Sequence, residues 1–470
     1  MQYHQSQADR ASLSGWHLHQ AAKVQMKTAN SQDVVAIVRA SELITAHASA
    51  AKTGDDLSDL GAIKDGAVVF QGGSILEVGT TETILKRHDP QTIIDAAGKV
   101  VMPGFVDPHT HLVHMGSRHE EYECKIAGKS YTDLHKVGGI RYTVKMTRDA
   151  SEEDLYQKAM HDLDIMLLHG TTTVEAKSGY GLNKESELKL LRVARRLNQD
   201  HAIEVVSTFL GAHTVPDEFK DNKGEYVELV CQMLPEARSL AEFCDAWCDA
   251  LGFSVDDCRR ILHAAEKLGF KTKLHVEQTA WSGGGELAAE LKVVSADHLD
   301  FLSPAAIKQM HEQRVVGVLL PGCTYHLMEF KKEIGVKEMI EGGVPIALAT
   351  DYNPGTSRTQ SMQAILETAC RLYRLTYAQA INAATINAAY AVDRGDKVGS
   401  LAAGKRADIT IFDCPEHGII INNFGINHVD TVIKNGEVVV RDGRLVNQFK
   451  FQHSGSAGAK SGIDCAGVGS

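Results

Sequence analysis

The sequence predicts an α/β fold: a (β/α)8 TIM-type barrel carrying a small β-sandwich domain built from both chain ends. Three observations predict it. Eight short apolar runs recur at 104–108, 171–175, 204–208, 242–247, 272–274, 292–296, 315–320 and 345–350. Helical patterns fill most of the intervals, as in "EDLYQKAMHDLDIMLLHG" (153–170) and "VDDCRRILHAAEKLGF" (255–270). Strand-rich segments stand at both ends of this central region, on either side of it in the chain.

Taken in order, residues 1–32 are polar and without periodicity, which reads as a loose tail. Residues 33–103 hold short strands in "DVVAIVRA", "GAVVFQGGSILEVG" and "QTIIDAAGKVVMPG", with Gly72-Gly73 as a hairpin turn. Residues 104–389 are the barrel, since eight strand–helix units over about 280 residues match that architecture. An open doubly wound sheet is the alternative, and the lack of a Gly-rich phosphate loop after the first strand counts against it. Residues 390–448 return to strands, with Asn435-Gly436 as a second hairpin turn, and 449–470 form another loose tail.

Bulk properties exclude several function classes. The 470-residue chain has 43% apolar and 23% charged residues, the balance of an ordinary soluble globular protein. Its longest apolar runs, such as "VVGVLL" (315–320), are too short to cross a bilayer, and the N-terminus lacks the apolar stretch of a secretory signal. A net charge of −11 argues against nucleic acid and anionic membranes as partners, although one local arginine still suits a small anionic substrate. Among the nine cysteines, Cys244, Cys248 and Cys258 are the only close set. They lack CxxC spacing, so buried reduced thiols in a cytoplasmic protein are expected.

Chemistry concentrates at the carboxyl ends of the predicted strands, where barrels place their active sites. His109 and His111 close the first, Tyr180 follows the second and His213 the third. His275 closes the fifth, His298 the sixth and Asp351 the eighth. Side chains at i and i+2 on a strand point the same way, so His109 and His111 can offer two nitrogens to one ion. His275 and Asp351 complete an N3O set that leaves room for a water molecule, as a hydrolytic metal site requires. Arg118, seven residues past His111, is a fixed cation just beyond the pair.

These residues carry a resemblance. "PGFVDPHTH", the histidine of "KLHVEQ" and the aspartate of "LATDYNPGTS" resemble the amidohydrolase superfamily. "HTHLVHMGSR", "GTTTVEAKSGYGL", "STFLGAHTVP", "VSADHL", "LLPG", "ALATDYNPGTS" and "FGINHVDTVIKNGEVVV" look like its imidazolonepropionase family, over residues 60–446. The resemblance implies hydrolytic ring opening of 4-imidazolone-5-propanoate to N-formimidoyl-L-glutamate, in cytoplasmic histidine degradation, by a metal-activated water. It implies one zinc or iron ion per chain, held by His109, His111, His275 and Asp351, in a homodimer. Asp351 and His298 would be the catalytic residues. Substrate contacts would come from Arg118, Tyr131, Tyr180, His213, Gln278, Asn353, Gly355 and Thr356.

The sequence departs from the family pattern in places. Gln278 stands where some members have glutamate and cannot take a proton, which leaves base work to Asp351 and His298. Tyr142, Asp249 and Arg358 replace a usual serine, glutamate and proline. The stretch "FCDAWCDALGF" lacks the bridging lysine of two-metal members, so one ion is expected. Another cyclic amidase or deaminase on the same scaffold is the alternative activity. A non-catalytic scaffold protein is the alternative from another class, and it would have lost a ligand.

Overall fold

The computed structural model describes residues 33–128 and 138–446. Both expected tails and Tyr131 lie outside the described residues. The barrel strands are β1 (Phe105–Asp107), β2 (Thr171–Lys177), β3 (Glu204–Ala212), β4 (Phe243–Cys248), β5 (Lys271–Val276), β6 (Ser295–His298), β7 (Val316–Leu319) and β8 (Ile346–Leu348). They pair in parallel in strict sequential order. A parallel bridge from Thr110 to Tyr352 closes the ring between the first and last strands, with His111 N donating to Tyr352 O at 2.9 Å.

Strand ends differ from the sequence expectation for identifiable reasons. Proline cannot donate to a ladder, so Pro108 ends β1 at Asp107. His109 and His111 therefore flank the Thr110 bridge beyond the strand. The sixth strand starts at Ser295, later than the expected 292, because Lys292 takes a left-handed φ of 51° after the helix Gly284–Glu290. That shift makes His298 the last residue of β6 itself.

The helices form where the apolar period changes to 3.6, and side chains cap them. Ser151 accepts from Asp154 N at the start of Glu152–Leu168. Ser254 and Asp257 form a reciprocal capping box on Val255–Lys267. Leu155, Ala159, Leu163 and Met166 of the first helix are buried in the main core with Val174 of β2.

The small domain is a sandwich. One sheet is wholly N-terminal, in the order Ser74–Thr80, Gly66–Gln71, Val35–Ala40, Thr92–Asp95. The other has seven strands and mixes the chain ends, for Ile409–Phe412 pairs antiparallel with Val100–Pro103. Ile37, Val68 and Phe70 of the first sheet share a core with Leu43, Ile409, Ile411 and Ile433 of the second. Both expected hairpins form, and Asn435 and Gly436 have positive φ of 51° and 81°, as a tight hairpin of that hand requires. Phe105 of β1 meets Phe412 edge-on at 5.8 Å and joins the sandwich to the barrel. Truncating either ring would cost about 3–5 kcal/mol.

No described helix is long and apolar enough to cross a membrane. Cys244, Cys248 and Cys258 are free and buried, as expected.

Candidate active site

The carboxyl ends of the strands surround a small cavity of about 40 Å³, lined by His111, Arg118, Tyr180, His213, His275, Gln278, His298, Asp351, Asn353 and Thr356. Every sequence-expected site residue within the described region except His109 and Gly355 faces it, and Ile140 and Trp247 join them. His109 lies beneath the others, fully buried.

The lower part of the cavity is a set of nitrogen and carboxylate donors. His109 Nε2 is 3.5 Å from Asp351 Oδ1, and His111 Nε2 is 3.7 Å from the same oxygen. The rings of His109 and His275 are 4.5 Å apart, and His298 stands 5.6 Å and 5.4 Å from those two. Donor atoms of His109, His111 and Asp351 lie within 4.8 Å of one another, as do those of His109, His275 and His298. These residues fit a metal ion. His109 Nε2 and His275 Nε2 are both buried without a hydrogen-bond partner, a cost that a cation bound to their lone pairs removes. Burial also pushes the Asp351 carboxyl up to about 8, against hydrogen bonds from Asn353 and Thr356 that lower it. A divalent ion beside it would reverse that and keep it ionised.

Carboxylates stand behind two of the imidazoles. His109 Nδ1 is 2.7 Å from Asp297 Oδ2. His275 Nδ1 is 2.9 Å from Asp245 Oδ2, in ion-pair range though out of line for a full hydrogen bond. With Nδ1–H directed at a carboxylate, each ring presents Nε2 as a lone pair, the usual outer support of a metal-bound histidine. Burial, reinforced by nearby cationic groups, holds His109, His111 and His298 well below the ordinary imidazole value, so all three are neutral ligands or hydrogen-bonding groups.

The backbone is bent at this point. Asp351 has φ of 51° and His298 of 82°, a region that residues with a side chain rarely adopt. Such conformations persist only where surrounding contacts enforce them, and they cluster at functional sites. Here Asp351 N donates to His109 O at 3.0 Å. The loop after β8 is locked by Asn353, whose Oδ1 accepts from Gly355 N and Thr356 N at 2.8 Å each. Its Nδ2 donates to Asp351 O and Thr356 Oγ1 at 2.6 and 2.8 Å. The Asn353 amide therefore shapes the wall of the site.

The upper part of the cavity differs in character. His213 stacks on His111 with ring centres 4.7 Å apart, and its Nδ1 donates to Gly179 O at 3.0 Å. Burial, with His275 nearby, lowers it to about 3, so Nε2 is an acceptor. Arg118, also buried, gives Nε to Glu121 Oε2 at 2.9 Å and Nη2 to Oε1. A Cβ on Gly355 would fall 1.9 Å from Arg118 Nη1, so only glycine allows the guanidinium to lie there. Gln278 is held through its backbone, N to Asp249 Oδ2 at 3.0 Å and O to Lys332 Nζ at 2.8 Å. Asp249, at the end of β4, also accepts from Thr279 N at 2.9 Å. The aspartate that departs from the family pattern thus anchors the loop carrying Gln278. The other two departures lie outside the cavity: Tyr142 packs by Gly116, and Arg358 lies over the Tyr352 ring at 5.5 Å.

Residues 100–439 match the amidohydrolase family. The imidazolonepropionase of Geobacillus kaustophilus (strain HTA426) is 46% identical over 87% of this chain and 98% of its own length. That of Alkaliphilus oremlandii (strain OhILAs) is also 46% identical, over 84% and 95%. The chain belongs to the imidazolonepropionase family of amidohydrolases. As the family's fold requires, solved amidohydrolase structures superpose on it. A zinc-bound adenosine deaminase from Xanthomonas campestris has a TM-score of 0.68 at 19% identity, covering 89% of this chain and 95% of that one. The guanine deaminase of E. coli has 0.66 at 16%, covering 86% and 99%. At such identities these two speak for the fold alone.

Sequence reasoning missed Asp245, Asp297, Glu121 and Trp247. A signal for the strand residues was available: "FCDAWC" places Asp245 and Trp247 two apart in an otherwise apolar strand, and "SADH" puts Asp297 beside His298. Charge inside an apolar strand marks an inward-facing polar layer.

Proposed function

We propose that the protein opens the ring of 4-imidazolone-5-propanoate with water, giving N-formimidoyl-L-glutamate, as a step of histidine degradation. The observation that carries this reading is the placement of Arg118 in the same small cavity as His111, His275, His298 and Asp351. A hydrolytic donor set and a guanidinium lining one cavity suit a cyclic amide bearing a carboxylate arm.

His109, His111, His275 and Asp351 would hold one zinc or iron ion, since an N3O set suits both. When bound, the ion supplies Lewis-acid activation of water and of the ring carbonyl. Arg118 pairs with the propionate and fixes the ring's orientation. His213 and Tyr180 frame the ring, and Gln278 holds it without proton transfer. Asp351 takes the proton of the attacking water and returns it to the ring nitrogen as the C–N bond breaks. His298, facing the cavity from β6, hydrogen-bonds the oxygen on which negative charge develops. The same reading includes a cytoplasmic homodimer, which cell fractionation and sedimentation test.

The deciding assay is loss of imidazolonepropionate absorbance by metal-replete and chelated protein, with guanine, cytosine and a hydantoin as competing substrates. Turnover of imidazolonepropionate that disappears on chelation supports the assignment. Preference for one of the other three overturns it.

A further inference from the structure

Below the ligand set, the barrel interior is ionic where such interiors are usually aliphatic. Glu175 and Lys177 on β2, Asp245 on β4, Lys273 on β5 and Asp297 on β6 are all almost completely buried. Lys177 Nζ is the centre of this layer, 2.7 Å from Asp245 Oδ2, 3.1 Å from Asp297 Oδ2 and 3.0 Å from Glu175 Oε2. Lys273 Nζ closes the other side, 2.8 Å from Glu175 Oε2 and 3.0 Å from Pro108 O. Asp297 Oδ2 thus touches both Lys177 and His109 Nδ1, and Asp245 Oδ2 touches both Lys177 and His275 Nδ1.

We propose that Lys177 is the positioning residue of the metal centre, a single ammonium that fixes Asp245 and Asp297, and through them the Nε2 atoms of His109 and His275. This inference rests on the metal-dependent reading above and deepens it. The contacts support it, because the two carboxylate oxygens that Lys177 Nζ holds, Asp245 Oδ2 and Asp297 Oδ2, are the same ones that lie 2.9 Å from His275 Nδ1 and 2.7 Å from His109 Nδ1. Asp245, His275 and Asp297 also have donor atoms close enough to hold a cation by themselves. The Lys177 ammonium already lies against both carboxylates, which fits a single ion in the site above.

The test is zinc affinity, measured by competition with a chromophoric chelator, alongside melting of the chelated protein. Lys177→Met should weaken zinc binding by at least the 10- to 100-fold typical of lost outer-sphere partners. Combined with Asp297→Asn, it should lose less than the two single variants predict, because both act through the same contact. Should Lys177→Met fail to fold, Lys177→Met/Glu175→Gln removes one cation and one anion together and is the variant to measure. Zinc affinity unchanged from wild type in whichever variant folds would overturn the proposal, whatever happens to melting. Wild-type protein that binds no metal would overturn the metal-dependent reading instead, which separates the two failures.

Discussion

Arg118 is clamped by Glu121 one helical turn away, Nε donating to Oε2 at 2.9 Å and Nη2 to Oε1, with both side chains buried. The pairing fixes the plane of the guanidinium before any substrate arrives, and Gly355 clears the space beside Nη1. A preset fork loses little freedom on binding a carboxylate, which favours affinity.

Losing a charge-assisted contact to a desolvated carboxylate typically costs ~2–4 kcal/mol. Arg118→Ala should therefore lower kcat/KM by about 30- to 1000-fold, leave metal content unchanged and scarcely affect an imidazolone without the carboxylate. An equal loss on both substrates would show that Arg118 shapes the loop only. Glu121→Gln keeps the shape of the clamp without its charge, and should raise KM more than it lowers kcat.

Elemental analysis of gently purified protein should find one metal per chain. His275→Ala should remove it while circular dichroism of the barrel stays unchanged. Two ions per chain, or stoichiometric metal in the variant, would count against the ligand set.

Much of this arrangement was legible in the sequence, and the missing parts share a cause. Alternating apolar runs and helical periods are local, so the eight strands and both hairpins could be read directly. His109 and His111 were legible because a two-residue spacing has a fixed meaning on extended backbone. The pairings of His109 with Asp297 and of His275 with Asp245 depend instead on register between strands far apart in the chain, which no local pattern encodes. Glu121 was missed for a simpler reason: an i, i+3 Arg–Glu pair usually lies on a solvated face, and here both side chains are buried. Asn353 was expected at the substrate, and its hydrogen bonds show what the residue does for the loop first.

Gln278 lines the cavity, yet its backbone is tied on both sides, to Asp249 and to Lys332. A side chain so placed orients a ring and has no proton to exchange at working pH. Gln278→Glu should keep substantial activity with little change in its pH profile. A new essential base titrating in the acid range would move the proton-transfer role away from Asp351.

The last prediction concerns the join between barrel and sandwich. Glu204, at the start of β3, accepts from Arg394 Nε at 2.7 Å and from Arg406 Nη2, and all three side chains are largely covered. Burial alone would raise this carboxyl, but Arg406 and Arg394 outweigh it and hold it at about 2, against an ordinary 4.5. A depression of that size corresponds to about 3 kcal/mol at neutral pH. The sign follows from linkage. Where the folded carboxyl is the stronger acid, the stabilisation is complete above about 4.5 and is lost as pH falls toward 2. Removing Glu204 takes away the carboxylate that Arg394 and Arg406 share, leaving them only Glu242 and Asp408 respectively, so Glu204→Gln should lower the urea midpoint at pH 7. Because acid also protonates histidine ligands, both proteins should be compared after chelation, so that metal loss does not enter the difference. The gap between wild type and Glu204→Gln should be constant from pH 7 to 5 and shrink below that. A gap that stayed constant down to pH 3 would mean that Glu204 acts through packing and not through its charge.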